Sequence, residues 1–191
     1  MLNAQYQYKL VEAGCDEVGR GCIAGPVVAA AVILPPDYKN KSIIDSKRLS
    51  HKKRKEVGQE IIDNATSWSI SEVSNNKIDE INILNASILA MHRSLDKLKV
   101  RPEFIIVDGN KFNPYRKISH ECIIKGDNKF QNIAAASILE KNYRDDLMKN
   151  LSLKYDKYSW ESNFGYPTKM HRDSIKKYGV TRYHRKSFKL L

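Results

Sequence analysis

The sequence has little of what builds disulfide frameworks, zinc sites or membrane spans. It contains three cysteines, an odd number with no Cys-x-x-Cys pair, which argues against a disulfide framework and a structural zinc site. Its longest apolar run, residues 27–34, is far shorter than the ~20 residues that cross a bilayer. The polar N-terminus lacks the apolar stretch of a signal peptide. We therefore expect a soluble, cytoplasmic, monomeric protein with no membrane partner.

Positive charge is what the chain has in excess. Lys and Arg number 33 against 22 Asp and Glu, which gives a formal net charge of +11. The segment 166–191 carries eight Lys or Arg and a single acidic residue, with tyrosines and a phenylalanine interleaved. Residues 47–55 form a second basic block. Two such blocks, one of them rich in aromatic rings, favour a polyanionic partner over a merely solubilising surface.

The order of apolar patterns indicates one α/β domain over residues 1–191, which is long enough to bury a good core. Strands are predicted at 10–15, 27–34, 68–73, 104–107 and 122–124, the first two as an antiparallel pair. Helices are predicted at about 50–64, 78–98, 133–147 and 168–179. The basic region at about 150–191 is expected to be helical and to contribute to substrate binding.

Acidic residues follow three of the predicted strands. Asp16 and Glu17 come after the first, and Asp108 and Asp127 follow the fourth and fifth. A single aspartate after a strand is most often a turn residue, but sites converge at the carboxyl ends of sheet strands. Four carboxylates at one edge would repel one another unless cations bound them, and they suit Mg²⁺ or Mn²⁺. Two such ions ~4 Å apart would be arranged for attack on a phosphodiester.

The segment Gly19-Arg20-Gly21 directly follows the acidic pair. Glycines let backbone N–H groups approach a ligand closely, and arginine suits phosphate. Together with the acids, this turn favours a metal-dependent enzyme that acts on nucleic acid. Two alternatives stay open at this point: a non-catalytic nucleic-acid-binding module, and another two-metal nuclease of similar fold. The first leaves the acids unexplained, because carboxylates beside a phosphate track weaken binding unless a metal intervenes.

Motifs along essentially the whole chain resemble those of type 2 ribonucleases H, the ribonuclease HII family. In chain order they are Asp16-Glu17-Val18-Gly19-Arg20-Gly21, Ala24-Gly25-Pro26, Asp45-Ser46-Lys47, Val107-Asp108-Gly109, Lys125-Gly126-Asp127, Ala134-Ala135-Ala136-Ser137, Gly165-Tyr166-Pro167-Thr168 and His184-Arg185-Lys186-Ser187-Phe188. Two departures are local. Cys22 replaces a usual proline, and Glu140-Lys141-Asn142-Tyr143 replaces a typical Ala-Lys-Val-Thr. Neither falls on a predicted metal ligand.

The resemblance implies a ribonuclease H-like fold, with a central mixed β-sheet flanked by helices and a helical C-terminal part. It also implies an endonuclease that hydrolyses the RNA strand of RNA–DNA hybrids. This activity would include incision on the 5′ side of a single ribonucleotide embedded in duplex DNA, leaving 3′-hydroxyl and 5′-phosphate ends. Such an enzyme would serve to remove ribonucleotides from DNA.

Residue roles follow from the same resemblance. The residues that match the family's catalytic, metal-binding carboxylates, expected to hold two Mg²⁺ or Mn²⁺ ions, are Asp16, Glu17, Asp108 and Asp127. Gly19, Arg20 and Gly21 match its backbone reader of the ribose 2′-hydroxyl. Tyr166 matches the tyrosine that stacks at the RNA–DNA junction. The residues that fall in motifs expected to contact phosphates are Lys47, Arg185 and Ser187.

Overall fold

A computed structural model describes residues 2–191 and contains a five-stranded sheet. The strands are β1 (Glu12–Val18), β2 (Val27–Ile33), β3 (Ser67–Val73), β4 (Phe104–Asp108) and β5 (Ser119–Ile123). They lie in the spatial order β3-β2-β1-β4-β5. β1 and β2 pair antiparallel, as the sequence predicts, and β3 joins β2 in the same sense. β4 is parallel to both β1 and β5, so the sheet is mixed.

β1 is longer than its apolar run predicts. The sequence predicts an end at Cys15, but the strand continues through the acidic pair to Val18. The reason lies in the neighbouring strand, because Glu17 lies opposite Ala29 and Val18 opposite Val28 in the ladder with β2. Backbone pairing with a buried strand thus outweighs the low strand preference of acidic residues. The first two candidate carboxylates therefore lie within a strand and not after it.

Six α-helices accompany the sheet in residues 2–191. They are α1 (His51–Asn64), α2 (Asn75–Ile81), α3 (Ile83–Lys97), α4 (Gln131–Ser152), α5 (Trp160–Asn163) and α6 (Lys169–Tyr178). The prediction of one helix over 78–98 is wrong, because Asn82 adopts a φ of 65° and separates α2 from α3. The Asn82 side chain accepts a hydrogen bond from the Asn85 N–H and so caps α3. α4 extends beyond the predicted 133–147 at both ends.

Helices cover both faces of the sheet. On one face, the small residues 134–136 of α4 pack with Ala30 of β2 in a buried cluster. The contact with β1 is so close that a Cβ atom on Gly14 would lie 2.3 Å from the carbonyl carbon of Asn132. On the other face, Met91 and its neighbours in α3 pack in a second cluster. α4 is thereby held directly against the strand that carries Asp16 and Glu17.

The C-terminal region is tied to the segment that follows the glycine turn. Trp160 and Ile175 share a buried cluster with Ile23. Backbone hydrogen bonds reinforce the contact: the Ile23 N–H donates to Gly165 O over 2.8 Å, and the Arg185 N–H donates to Ile23 O over 2.9 Å. The loops after α5 and α6 thus fix the position of the chain just beyond Gly21.

Candidate active site

Three elements bring the predicted carboxylates to one end of the sheet. The parallel register of β1 and β4 aligns Asp16 with Asp108, one step beyond the last paired residues. Asp127 lies in a 3-10 turn, Gly126–Asn128, that follows β5. This turn is bonded to β4, since the Gly126 N–H donates to Asp108 Oδ1 over 2.6 Å. The topology of the sheet, and not proximity along the chain, therefore assembles the acids.

Most of these carboxylates have protein partners. Glu17 Oε1 lies 3.0 Å from an Nη atom of Arg20, and Asp127 Oδ2 lies 3.9 Å from Lys47 Nζ. Asp16 Oδ1 accepts a 2.8 Å hydrogen bond from the Glu17 N–H. Within residues 2–191, no Lys, Arg or His forms an ion pair with Asp16. The negative charge of the cluster is thus only partly compensated.

Burial and mutual repulsion raise the pKa values of three of these acids, Asp16, Glu17 and Asp108. Burial raises the pKa of Asp16 well above its usual range, and the charges of Glu17 and Asp108 raise it further. The pKa of Asp108 is raised by burial and then by the charge of Asp127. Burial also raises the pKa of Glu17, although Arg20 opposes this shift. Carboxyl groups in such surroundings relieve their repulsion by binding protons or cations.

A fifth acid lies near enough to Asp16, Glu17 and Asp108 to feel their charges, and the sequence patterns do not single it out as a site residue. Glu140 of α4 is 2 % exposed, and its pKa is raised well above the usual range by burial and by the charges of the neighbouring acids. Its Oε2 atom is buried without a hydrogen-bond partner in the described chain. One signal was present in the sequence. Ser137, Glu140 and Arg144 recur at helical spacing, so one face of α4 is polar, and all three residues are buried.

The chemistry of this donor set fits divalent metal ions. Carboxylate oxygens are the ligands that Mg²⁺ and Mn²⁺ prefer, and the partly compensated charge of the cluster calls for cations. The unpartnered oxygen of Glu140 points to the same need. As the side chains are oriented, no three His, Cys, Asp or Glu groups within residues 2–191 converge closely enough to hold a metal ion. Ligation by three or more of these acids therefore requires their side chains to change orientation.

The glycine-rich turn lies against two buried arginines. Gly19 adopts a φ of +92°, and a Cβ atom there would lie 2.3 Å from Arg144 Nε. Arg144 donates to three backbone carbonyl groups of neighbouring segments, over 2.7 to 3.1 Å. Arg185 donates to Arg20 O and Gly25 O over 3.1 and 3.0 Å. Only glycine at position 19 combines this conformation with such close packing.

Tyr166 lies beside the same turn. A Cβ atom on Gly21 would lie 3.9 Å from Tyr166 Cε1. The residue is 38 % exposed, and burial of its hydroxyl raises the pKa of Tyr166 to about 12, so the hydroxyl is protonated at neutral pH. The backbone is fixed from behind, because His171 Nδ1 donates to Tyr166 O over 2.9 Å. The backbone of Tyr166 is thus held by α6, while part of the residue is accessible to solvent.

Comparison with known proteins decides the family. The family model described as "Ribonuclease HII" matches residues 13–191. The chain belongs to the ribonuclease HII family. The curated protein "Ribonuclease HII" of Christiangramia forsetii is 60% identical over 191 residues, which cover 100% of this chain and 96% of that protein.

Solved structures agree with this assignment. The ribonuclease H2 of Pyrococcus horikoshii OT3 matches with a TM-score of 0.80 and 24% identity, over 94% of each chain. The RNase HII of Archaeoglobus fulgidus, solved in complex with PCNA, matches with a TM-score of 0.78 and 26% identity, over 94% of this chain and 96% of that one. The predicted ribonuclease H-like fold is confirmed.

Membership of the ribonuclease HII family makes the chain an endoribonuclease, a hydrolase of phosphodiester bonds. Enzymes of this family depend on divalent metal ions, in agreement with the carboxylate set described above.

Within residues 2–191, no helix combines the length and the apolar composition needed to cross a membrane.

The three residues expected from ribonuclease HII motifs to contact phosphates lie in different surroundings. Lys47 has a side chain that is 79% exposed and lies next to Asp127. Arg185 is fully buried and donates to backbone carbonyl groups of the turn. The Ser187 hydroxyl donates to Asp79 of α2 over 2.6 Å. Of the three, Lys47 alone extends an exposed side chain beside the acidic cluster.

Proposed function

We propose that this endonuclease hydrolyses the RNA strand of RNA–DNA hybrids and incises on the 5′ side of single ribonucleotides embedded in duplex DNA. The observation that carries the proposal is the juxtaposition of the carboxylates of β1 and β4 with the glycine turn and Tyr166. Cleavage requires charge stabilisation at a phosphate, whereas recognition of RNA requires contact with a 2′-hydroxyl. Residues 16–21 place acids for the first task and a glycine turn for the second within one short segment.

Asp16, Glu17, Asp108 and Asp127 would hold two divalent ions, Mg²⁺ or Mn²⁺. Bound ions of this kind would activate a water and stabilise charge on the attacking and leaving oxygens. Departure of the 3′-oxygen would leave 3′-hydroxyl and 5′-phosphate ends. The chain itself restrains the ligands. The Gly126 N–H orients Asp108, and Arg20 holds Glu17 through their 3.0 Å ion pair.

The turn from Gly19 to Gly21 would read the ribose 2′-hydroxyl through its backbone groups. The two glycines have no side chains that would block access to the backbone groups. Arg144 packs against Gly19, and Arg185 donates a hydrogen bond to Arg20 O, so both arginines restrain the turn. Support of this kind fixes the donors before substrate binds, which favours discrimination of a single hydroxyl group. Arg185 would thus act on the turn and not on a phosphate.

Tyr166 would stack on the deoxyribose next to the ribonucleotide, where the missing 2′-hydroxyl leaves room for the ring. Its own hydroxyl would meet the ribonucleotide. The position of the ring supports this role, because a Cβ atom on Gly21 would lie only 3.9 Å from it, so the groups proposed to read the 2′-hydroxyl and the junction are neighbours.

Basic side chains of the region 150–191 would contact the phosphates of the duplex as part of the same catalytic domain. The exposed ones are Lys154, Lys157, Lys169, Lys176, Lys177, Arg182, Lys186 and Lys189. The hydrogen bonds that join Ile23 to Gly165 and Arg185 support this assignment, since they fix the basic region beside the turn. Lys47 would add a contact near Asp127.

Cleavage of three labelled duplexes in Mg²⁺ or Mn²⁺ tests the proposal: all-DNA, RNA–DNA hybrid, and DNA with one embedded ribonucleotide. We expect no cleavage of the first, and cleavage of the other two with 3′-hydroxyl and 5′-phosphate ends. Cleavage of all-DNA duplex at a similar rate would identify a different two-metal nuclease of this fold. Binding without cleavage of any duplex would contradict the catalytic assignment.

A further inference from the structure

Glu140 is a buried acid for which residues 2–191 provide no compensating partner. It lies in α4, the helix that packs against β1, and only 2 % of its surface is exposed. Its Oε2 atom has no hydrogen-bond donor, and no Lys, Arg or His within residues 2–191 forms an ion pair with it. Buried carboxylates are normally paired or bound to a metal, because an isolated charge in the interior is costly.

The charges that act on Glu140 are mostly those of other acids. Asp16, Glu17 and Asp108 lie within electrostatic range, and Lys47 is the cation that opposes them. Lys47 cannot neutralise the whole group, because its side chain is 79% exposed and its ammonium already faces Asp127. The surroundings of Glu140 therefore add negative charge where a buried carboxylate needs positive charge.

A purely structural role would give Glu140 a fixed partner, as other buried polar residues of α4 have. Arg144, one turn later, donates to three carbonyl groups, and Ser137, one turn earlier, lies 3.0 Å from the Ser46 hydroxyl. Asn142 bonds to Arg54 through both ends of its amide. Glu140 Oε2 differs from all of these because it is buried and finds no hydrogen-bond partner within residues 2–191.

We propose that Glu140 is a fifth carboxylate of the divalent-cation site, and that the affinity of the site for cations depends on its negative charge. The proposal rests on the assignment of Asp16, Glu17, Asp108 and Asp127 as metal ligands. A cation bound by the four proposed ligands would also compensate the charge of Glu140. Burial of the Glu140 carboxylate near those ligands would then become favourable.

Titration calorimetry with Mn²⁺, without nucleic acid, tests this role directly. Glu140→Gln keeps the shape and removes the charge, and we expect it to weaken Mn²⁺ binding by roughly tenfold or more. The melting temperature without metal should stay the same or rise, because an uncompensated buried acid is removed. The matched control is Glu80→Gln, whose exposed side chain pairs with Lys77 and which should leave the affinity unchanged.

Two reference variants separate this inference from the assignment on which it rests. If Asp16→Asn and Asp108→Asn bind Mn²⁺ weakly but Glu140→Gln binds like the parent, Glu140 has no part in the site and the inference is overturned. If none of the three weakens binding, the metal site itself is wrong. Glu140→Ala, which buries no polar group, replaces Glu140→Gln if the latter does not fold, with the same expected loss of affinity.

Discussion

His171 Nδ1 donates a 2.9 Å hydrogen bond to the carbonyl oxygen of Tyr166, which links α6 to the residue beside the glycine turn. His171 Nε2 accepts from Trp160 Nε1 over 3.0 Å and lies 3.1 Å from His184 Nε2. The Thr181 N–H donates to His184 Nδ1, so the proton of His184 is on Nε2 and points at His171. Both imidazoles are therefore neutral, and the arrangement requires that they remain so.

We expect the free energy of unfolding to fall as the pH drops from about 6.5 to about 4. Burial lowers the pKa of His171, and burial with the proximity of His171 lowers the pKa of His184 to about 4. In this range the unfolded chain binds protons that the folded chain does not, which costs on the order of 2 kcal/mol. Urea denaturation at pH 7 and pH 4.5 measures the loss.

The raised carboxyl pKa values act in the opposite direction over part of this range, so the comparison between variants carries the test. His184→Gln should lose less stability on acidification than the parent. His120→Gln, outside the buried pair, should behave like the parent. The same pH dependence in His184→Gln and the parent would show that this imidazole does not control acid stability.

Tyr166→Ala should depress cleavage at an embedded single ribonucleotide far more than cleavage within a long RNA–DNA hybrid. The hybrid offers many alternative registers, whereas the single ribonucleotide offers one junction for the ring. Tyr166→Phe, which keeps the ring and loses the hydroxyl, should fall between Tyr166→Ala and the parent. Equal losses on both substrates in initial-rate assays would mean that Tyr166 merely supports the fold.

Gly19→Ala should cost about 2–4 kcal/mol of stability, since it combines backbone strain with overpacking against Arg144. The matched control is Gly179→Ala. Gly179 also has a positive φ, +78°, but a Cβ atom there would meet nothing within 4 Å. Gly179→Ala should therefore lose less than Gly19→Ala, about 1–2 kcal/mol, because it carries backbone strain without overpacking. Similar denaturation midpoints for the two variants would refute the close packing of the turn on Arg144.

Much of the fold follows from local patterns in the sequence. The β1–β2 hairpin and the capped helix α1 are predicted because turn residues, apolar runs and Ser50 act over short distances. The break at Asn82 is not predicted from the sequence, because the apolar spacing continues across it. Only the φ of this one residue interrupts the helix. The extension of β1 to Val18 depends on its ladder with β2, a tertiary effect.

The site was predictable to a similar extent. Acids after apolar strands point to Asp108 and Asp127, because strand ends converge whatever the details of packing. The unpartnered burial of Glu140 and the inward direction of Arg185 depend on how α4 and the C-terminal loop dock on the turn. A motif shows that Arg185 belongs near the site but not which way its guanidinium points.

Substrate affinity should fall steeply with salt concentration, since basic side chains displace counterions from phosphates. The double variant Arg182→Ala with Lys186→Ala should weaken binding to hybrid and to all-DNA duplex alike. It should also flatten the slope of log affinity against log salt by about one for each phosphate that is no longer neutralised. Fluorescence anisotropy at several salt concentrations measures this slope.

A charge-matched control is Lys99→Ala with Arg101→Ala, at the end of β4 opposite Asp108. It should leave the slope unchanged. If the control flattens the slope and the double variant at 182 and 186 does not, the duplex binds at the other end of the sheet.

The cleavage rate of Asp108→Asn tests the central claim, that carboxylates at the end of β1 and β4 hold the catalytic metal ions. The variant keeps the shape and loses the charge, so single-turnover cleavage at saturating Mg²⁺ or Mn²⁺ should fall by about three orders of magnitude. Hybrid binding should remain, because no phosphate contact is removed. Asp63→Asn, an exposed aspartate of α1, is the matched control and should cleave normally. Near-normal cleavage by folded Asp108→Asn would contradict the account.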